Sequence, residues 1–234
     1  YKTCPLDADW HIRPEDYKQP NGGVIFPNPN APTGLFEDMS VVEEILQANR
    51  DVVVIVDEAY IDFAADPQSA SVVDLTDRYE NLLVVQTFSK SRSLAGGRVG
   101  FAMGSPELIN AMNRVKYSFH PYNVNRLSML AAAAAMEDED YFRSCVATIL
   151  TNRAWTERKL RMMGFTVLPS SANFVFARHI RMPGWELYRR LKENGILVRW
   201  FDAPRLRDYV RVTIGSQEQM ETLVETAGKL LSEV

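Results

Sequence analysis

Cysteine is scarce in this chain of 234 residues: Cys4 and Cys145 are the only two. They lie far apart and without metal-ligand spacing, which excludes a stapled secreted scaffold and points to a reducing, cytoplasmic compartment. Histidine is nearly as rare, and His11, His120 and His179 are too scattered for a recognisable metal set. Positive charge is not in excess: 26 Lys and Arg stand against 30 Asp and Glu, a net charge of −4. Neither a nucleic-acid backbone nor an anionic membrane surface is therefore an expected partner. Long apolar runs are missing as well. The uncharged stretch 19–36 is interrupted by proline and glycine, and the alanine-rich stretch 127–136 is short, so neither spans a bilayer. The motifs G-x-G-x-x-G, G-x-x-x-x-G-K-[ST] and H-E-x-x-H are absent, which leaves dinucleotide, P-loop and zinc-protease readings without an anchor.

What is there is an ordinary folded composition, 46% hydrophobic and 24% charged, long enough for one large domain or two modest ones. The run Val24–Phe26 reads as a strand that ends in a proline-rich loop, Pro27 to Gly34. Ser40-Val41-Val42-Glu43 has the form of a capping box opening a helix to Asn49. Val52 to Val56 and Leu82 to Val85 are continuous apolar runs without polar alternation, the pattern of strands covered on both faces. Val99 to Met103 reads as another strand, and Ser105-Pro106-Glu107 as the start of a helix reaching Val115. Residues 125–163 are helical in pattern, with a break near 137–140 and a stop at Gly164. Beyond it, strands at 165–168, 173–177, 196–200 and 209–214 alternate with helices at 185–194 and 217–231. Strands separated by helices predict an α/β fold with a mostly parallel sheet flanked by helices, followed by a smaller C-terminal α+β domain. The division expected is 1–130 and 131–234. The basic stretch Arg153, Arg158, Lys159 and Arg161 reads as a solvated helix face.

Parallel sheets bind ligands at the carboxyl ends of their strands, so the polar residues there are the candidates. Asp57 ends five apolar residues and needs water or a cationic partner; the plain alternative is an Asp that opens a loop. Tyr60 lies three residues on, near enough to share a cleft with it. Lys90 ends the next strand, where a sheltered amine becomes a nucleophile. Thr87, Ser89 and Arg98 around that lysine form an anion cradle of two hydroxyls and a guanidinium. In the last strand Val210, Val212 and Ile214 share a face, so Arg211 points to the other.

The segments Asn28-Pro29-Asn30-Ala31-Pro32-Thr33-Gly34, Asp57-Glu58-Ala59-Tyr60, and Thr87 to Lys90 running through Leu94 to Phe101 closely resemble the fold-type I, pyridoxal-phosphate-dependent aminotransferases. Tyr122 to Asn125, Gly195 to Arg199 and Tyr209 to Gly215 resemble the members that act on histidinol phosphate, and the likeness runs through essentially the whole chain in order. The resemblance implies Lys90 as the Schiff-base lysine, Asp57 as the partner of the pyridine nitrogen, and Tyr60 as donor to the ring's phenolic oxygen. It implies Thr87, Ser89 and Arg98 as the phosphate site. Many relatives have Asn directly before Pro-Thr-Gly; that position is Ala31 here, and Asn30 is carried over as the second partner of the ring oxygen. Arg199 and Arg211 would bind the phosphate ester or carboxylate of two alternating small-molecule substrates, an amine and a 2-oxo acid.

The reaction so implied is transfer of the amino group of L-histidinol phosphate to 2-oxoglutarate, in histidine biosynthesis, by a homodimer. Alternatives are an aromatic amino acid aminotransferase, a lyase resembling threonine-phosphate decarboxylase, or an inactive fragment. The family's chains extend upstream of the point matching Tyr1. A chain that starts there is expected to hold its cofactor weakly, to turn over little, and to leave sheet edges unpaired.

Overall fold

A computed structural model describes residues Tyr1–Glu233. The chain divides into two compact units, one of residues 1–30 and 35–143, the other of residues 31–34 and 144–234.

In the first unit, three apolar runs become the strands β1 (Val24–Pro27), β2 (Val54–Asp57) and β3 (Leu82–Thr87), all parallel, and β4 (Gly100–Gly104) closes the order β1-β2-β3-β4 antiparallel to β3. The sheet is thus mixed and mostly parallel. Side chains alternate across it. Val24, Phe26, Val54, Val56, Leu82 and Val84 fall on one face and join Val42, Ile45 and Leu46 of helix α1 (Met39–Ala48) in a single buried cluster. Each fully buried Val or Leu there contributes about 1.5–3 kcal/mol over its exposed state.

The sequence predicts strands covered on both faces, and the structure departs from that. The opposite face of the unit is only partly covered, with Ile25 69% exposed and Ile55 half-buried. β2 also begins two residues later than its apolar run and takes in Asp57 as its last residue. Helix α1 starts at Met39, with Asp38 at its N-cap, so Ser40 and Glu43 lie inside the helix and form no capping box. The start is set further back because the Asn28 side chain holds the backbone of Glu37 from both sides, accepting from its N–H at 2.9 Å and donating to its carbonyl at 3.0 Å. The chain after β2 makes the short helix α2 (Pro67–Ala70) before β3, and the chain after β4 makes α3 (Pro106–Phe119) and α4 (Arg126–Glu137). Ser105 caps α3, its hydroxyl accepting from the Leu108 N–H at 3.3 Å.

Helix α5 (Glu139–Met162) leads into the second unit and stops where Gly164 takes a left-handed backbone at φ +90°. There an antiparallel sheet in the order β5-β6-β8-β7 is built from β5 (Phe165–Val167), β6 (Phe174–His179), β7 (Arg199–Trp200) and β8 (Val210–Thr213), with helices α6 (Gly184–Glu193) and α7 (Gln217–Ser232). Val175, Ala177, Val210 and Val212 of the sheet pack with Leu187, Leu191, Met220, Leu223 and Leu230 into one core. Strand β7 is shorter than its apolar run suggests, because the Ile196 N–H is drawn back to the carbonyl of Leu191 at the end of α6, 2.9 Å away. Arg153 does not lie on a solvated face either. Its guanidinium turns inward and donates to the Ala172 carbonyl at 2.7 Å, and burial lowers its pKa. No helix among the described residues is long and apolar enough to cross a membrane.

Candidate active site

Parallel pairing fixes the geometry of the first unit. In register, Pro27 of β1 lies beside Asp57 of β2, and Asp57 beside Val85 of β3, so all three strands deliver their carboxyl ends to one edge. The Asn28 N–H donates to the Asp57 carbonyl at 2.9 Å, and the Glu58 N–H to the Val85 carbonyl at 2.8 Å, which carries the pairing past the strand ends. One carboxylate oxygen of Asp57 accepts from the Ala59 N–H at 3.0 Å, bending the chain into the turn that presents Tyr60.

Glu58, the next residue, faces the interior and is 2% exposed. Its carboxylate accepts from the Val72 N–H (2.7 Å), the Ser71 hydroxyl (2.8 Å) and the Gln86 amide (2.9 Å). Burial pushes its pKa up against the pull of those three donors. This carboxylate ties the end of β2 to Gln86 of β3, one residue before Thr87. A second acid directly after a strand-ending Asp is the signal that was there to be read.

β3 ends at Thr87, whose hydroxyl organises the following turn: it accepts from the Ser89 N–H at 3.0 Å and pairs with the Ser89 hydroxyl at 2.9 Å. Lys90 follows, and its Nζ lies 5.4 Å from the centroid of the Tyr60 ring, within the range of a cation–π contact. The structure therefore gathers Asp57, Tyr60, Thr87, Ser89 and Lys90 at neighbouring strand ends. Arg98 enters β4 in a left-handed conformation at φ +54°, exposed, with its guanidinium donating to the Ala95 carbonyl at 2.9 Å. Gly100 must be glycine where β4 crosses back, since a Cβ there would stand 2.9 Å from the Gln86 carbonyl oxygen. Asn30 lies three residues beyond β1, its N–H donating to the Leu35 carbonyl at 2.7 Å.

In the second unit Arg199 and Arg211 are register partners on the adjacent strands β7 and β8. The Arg211 guanidinium stands 4.9 Å from the Phe174 ring centroid and 5.7 Å from that of Phe201, and Arg199 stands 5.3 Å from Phe201. Phe201 is thus shared by two cations. The Arg211 Nε is buried with no hydrogen-bond partner among the described residues. A buried donor without a partner is costly, and an anionic ligand group satisfies it.

The residues present fit pyridoxal phosphate: an amine and a phenol at contact distance, a carboxylate ending the adjoining strand, and two hydroxyls locked into one turn; no contact joins the Arg98 guanidinium to them.

A family model for aminotransferases of class I and II matches residues 2–226. The chain belongs to that family. It is 50% identical over 230 residues to histidinol-phosphate aminotransferase 1 of Pseudomonas fluorescens, covering 98% of this chain and 65% of that protein. The chain thus spans about two thirds of the length of the curated relatives it matches. Among solved structures, the histidinol-phosphate aminotransferase from Clostridium acetobutylicum superposes with a TM-score of 0.90 at 25% identity, covering 98% of this chain and 70% of that one. The Sinorhizobium meliloti histidinol-phosphate aminotransferase, solved in complex with pyridoxal-5'-phosphate, shares the fold at a TM-score of 0.86 and 24% identity, covering 99% of this chain and 64% of its own.

Proposed function

We propose that this chain carries the cofactor and substrate residues of a pyridoxal-phosphate-dependent histidinol-phosphate aminotransferase, transferring the amino group of L-histidinol phosphate to 2-oxoglutarate. The observation that carries the reading is the Lys90 amine held over the Tyr60 ring at the end of β3, with Asp57 ending the strand beside it. The identity of half the residues to a protein of that name, across nearly the whole chain, supports the substrate.

Pyridoxal phosphate, when bound, supplies an aldehyde carbon and a ring that withdraws electrons from the substrate's Cα. Lys90 would hold the cofactor through its amine and would move the proton at the substrate's Cα. Asp57 keeps a proton on the pyridine nitrogen through a charge-assisted hydrogen bond, which sustains the ring's withdrawing power. The Tyr60 phenol donates to the ring oxygen, with the Asn30 side chain as its second partner. The hydroxyls of Thr87 and Ser89 and the Arg98 guanidinium bind the cofactor phosphate. In the second unit Arg199 and Arg211 grip the acidic end of each substrate in turn, since a planar guanidinium pairs with phosphate or carboxylate alike. Residues 1–130 then form the cofactor-binding domain and residues 131–234 the smaller domain that reads the substrate's acid.

The working form is a cytoplasmic homodimer. The exposed apolar side chains of α3 and α4, Met112, Val115, Phe119, Leu127 and Leu130 among them, support an association surface.

Titration with pyridoxal phosphate is expected to develop visible absorbance. With L-histidinol phosphate and 2-oxoglutarate present, glutamate should then accumulate. No spectral change at saturation, or turnover of phenylalanine with none of histidinol phosphate, contradicts the reading.

A further inference from the structure

Lys90 sits on a loop that the strand ends alone do not fix. The loop closes where the Leu94 N–H donates to the Phe88 carbonyl at 2.9 Å and the Ser93 N–H to the Lys90 carbonyl at 3.2 Å. Backbone closure of this kind sets the path of the chain. It does not by itself fix how the loop is inclined to the sheet, and a four-carbon stem magnifies any difference in inclination at the amine.

The next two residues of the loop are tied to other elements. Ser91, 5% exposed, donates its hydroxyl to the carboxylate of Asp62. Asp62 belongs to the single helical turn Ile61–Phe63 that begins at Tyr60, where the Phe63 N–H donates to the Tyr60 carbonyl at 3.0 Å. One hydrogen bond thus links the residue after the amine to the turn that carries the phenol. Next, the guanidinium carbon of Arg92 lies 3.6 Å from the ring centroid of Phe142 on α5. The guanidinium donates to the Ala135 carbonyl at the end of α4 (2.7 Å) and to Glu139 (3.3 Å), with 14% of the Arg92 side chain exposed.

We propose that Asp62, Ser91 and Arg92 are positioning residues: together they clamp the Lys90 loop between the Tyr60 turn and the α4–α5 junction, and so aim the amine at the cofactor's aldehyde. This rests on the reading of Lys90 given above and adds to it the groups that set the amine's approach. Pairing by Asp62 requires only an acceptor oxygen, so Asp62→Asn preserves the clamp while Asp62→Ala breaks it. Arg92→Lys keeps the charge but loses the guanidinium's contact with the Phe142 ring and the forked donors.

The test measures how fast pyridoxal phosphate is captured on Lys90, by borohydride trapping at timed intervals, in the wild type, Ser91→Ala, Asp62→Ala, the double variant, Asp62→Asn and Arg92→Lys. Thermal unfolding is recorded for each, and kcat and KM are measured separately. Ser91→Ala and Asp62→Ala should each slow capture about tenfold, the loss of one hydrogen bond. The double variant should be no slower than either single one. Asp62→Asn should stay near wild type, Arg92→Lys should be slowed by a similar factor, and kcat should fall with KM for the amine unchanged. Wild-type capture rates in both alanine variants, losses that multiply in the double variant, or an Asp62→Asn protein as slow as Asp62→Ala overturn the proposal. A wild type that captures nothing overturns instead the assignment of Lys90 itself.

Discussion

Helices α3 and α7 are close in length and share an amphipathic pattern, yet they end in opposite environments. In α7 the residues Met220, Leu223, Ala227, Leu230 and Leu231 are buried in the core of the second unit. In α3 none of the 14 residues is buried, and Met112, Val115 and Phe119 are 43%, 66% and 87% exposed. The difference teaches that an apolar stripe announces a face in need of cover without naming the cover. For α7 the cover is α6 and the sheet of its own unit; α3 touches β4, which leaves Leu108 and Ile109 half-buried, while residues 111–119 stay exposed.

Substitutions can break or sharpen this contrast. The largest expected effect is at Leu223, 3% exposed: Leu223→Ala should cost about 2–5 kcal/mol, the usual range for a core leucine, read by denaturant unfolding. A loss below that range would mean the core of the second unit is looser than drawn. Phe119→Asp should instead leave the unfolding curve nearly in place and shift sedimentation toward the monomer; an unchanged sedimentation profile would remove α3 from the association surface.

A smaller effect is expected of His179, which is 7% exposed at the end of β6. Its Nε2 lies 3.2 Å from the Met163 carbonyl and its Nδ1 accepts from the Arg181 N–H at 3.2 Å, a neutral tautomer with both nitrogens used. Burial holds its pKa below the ordinary 6.5. The unfolded chain therefore binds the proton more readily than the folded one, and stability rises with pH. The contribution is whole above about pH 6.5 and is lost as pH falls toward the lower folded value. Melting curves between pH 7 and pH 5 should show this slope in the wild type and a flatter one in His179→Gln; equal slopes would sink the assignment. The smallest effect is at Val115, where Val115→Ala on the exposed face should change unfolding of the separated chain by no more than about 0.5 kcal/mol.

How much of this was legible in the sequence follows from the range of each interaction. The strands could be read because apolar runs are local signals, and Asp57 and Lys90 could be placed together because a parallel sheet brings all its carboxyl ends to one edge. The family likeness then supplied their roles. What escaped was decided by partners distant in the chain. Asn28 reaches Glu37 and moves the start of α1 away from the capping box at Ser40. Arg153 reads as a surface cation but meets the Ala172 carbonyl, 19 residues on. Alternation along β8 is enough to turn Arg211 away from Val210 and Val212, yet its contacts with Phe174 and Phe201 depend on β6 and on the segment after β7, which no local pattern specifies. Ser91 and Asp62 are 29 residues apart, and neither stands out until the fold brings them into contact.

On the function proposed above, one amine, Lys90, would receive the cofactor's aldehyde. Borohydride reduction of the protein saturated with pyridoxal phosphate, followed by proteolysis and mass mapping, tests it most directly. A single stoichiometric adduct is expected on the peptide containing Lys90, absent from Lys90→Ala. Adducts spread over surface lysines, or one site other than Lys90, would contradict it.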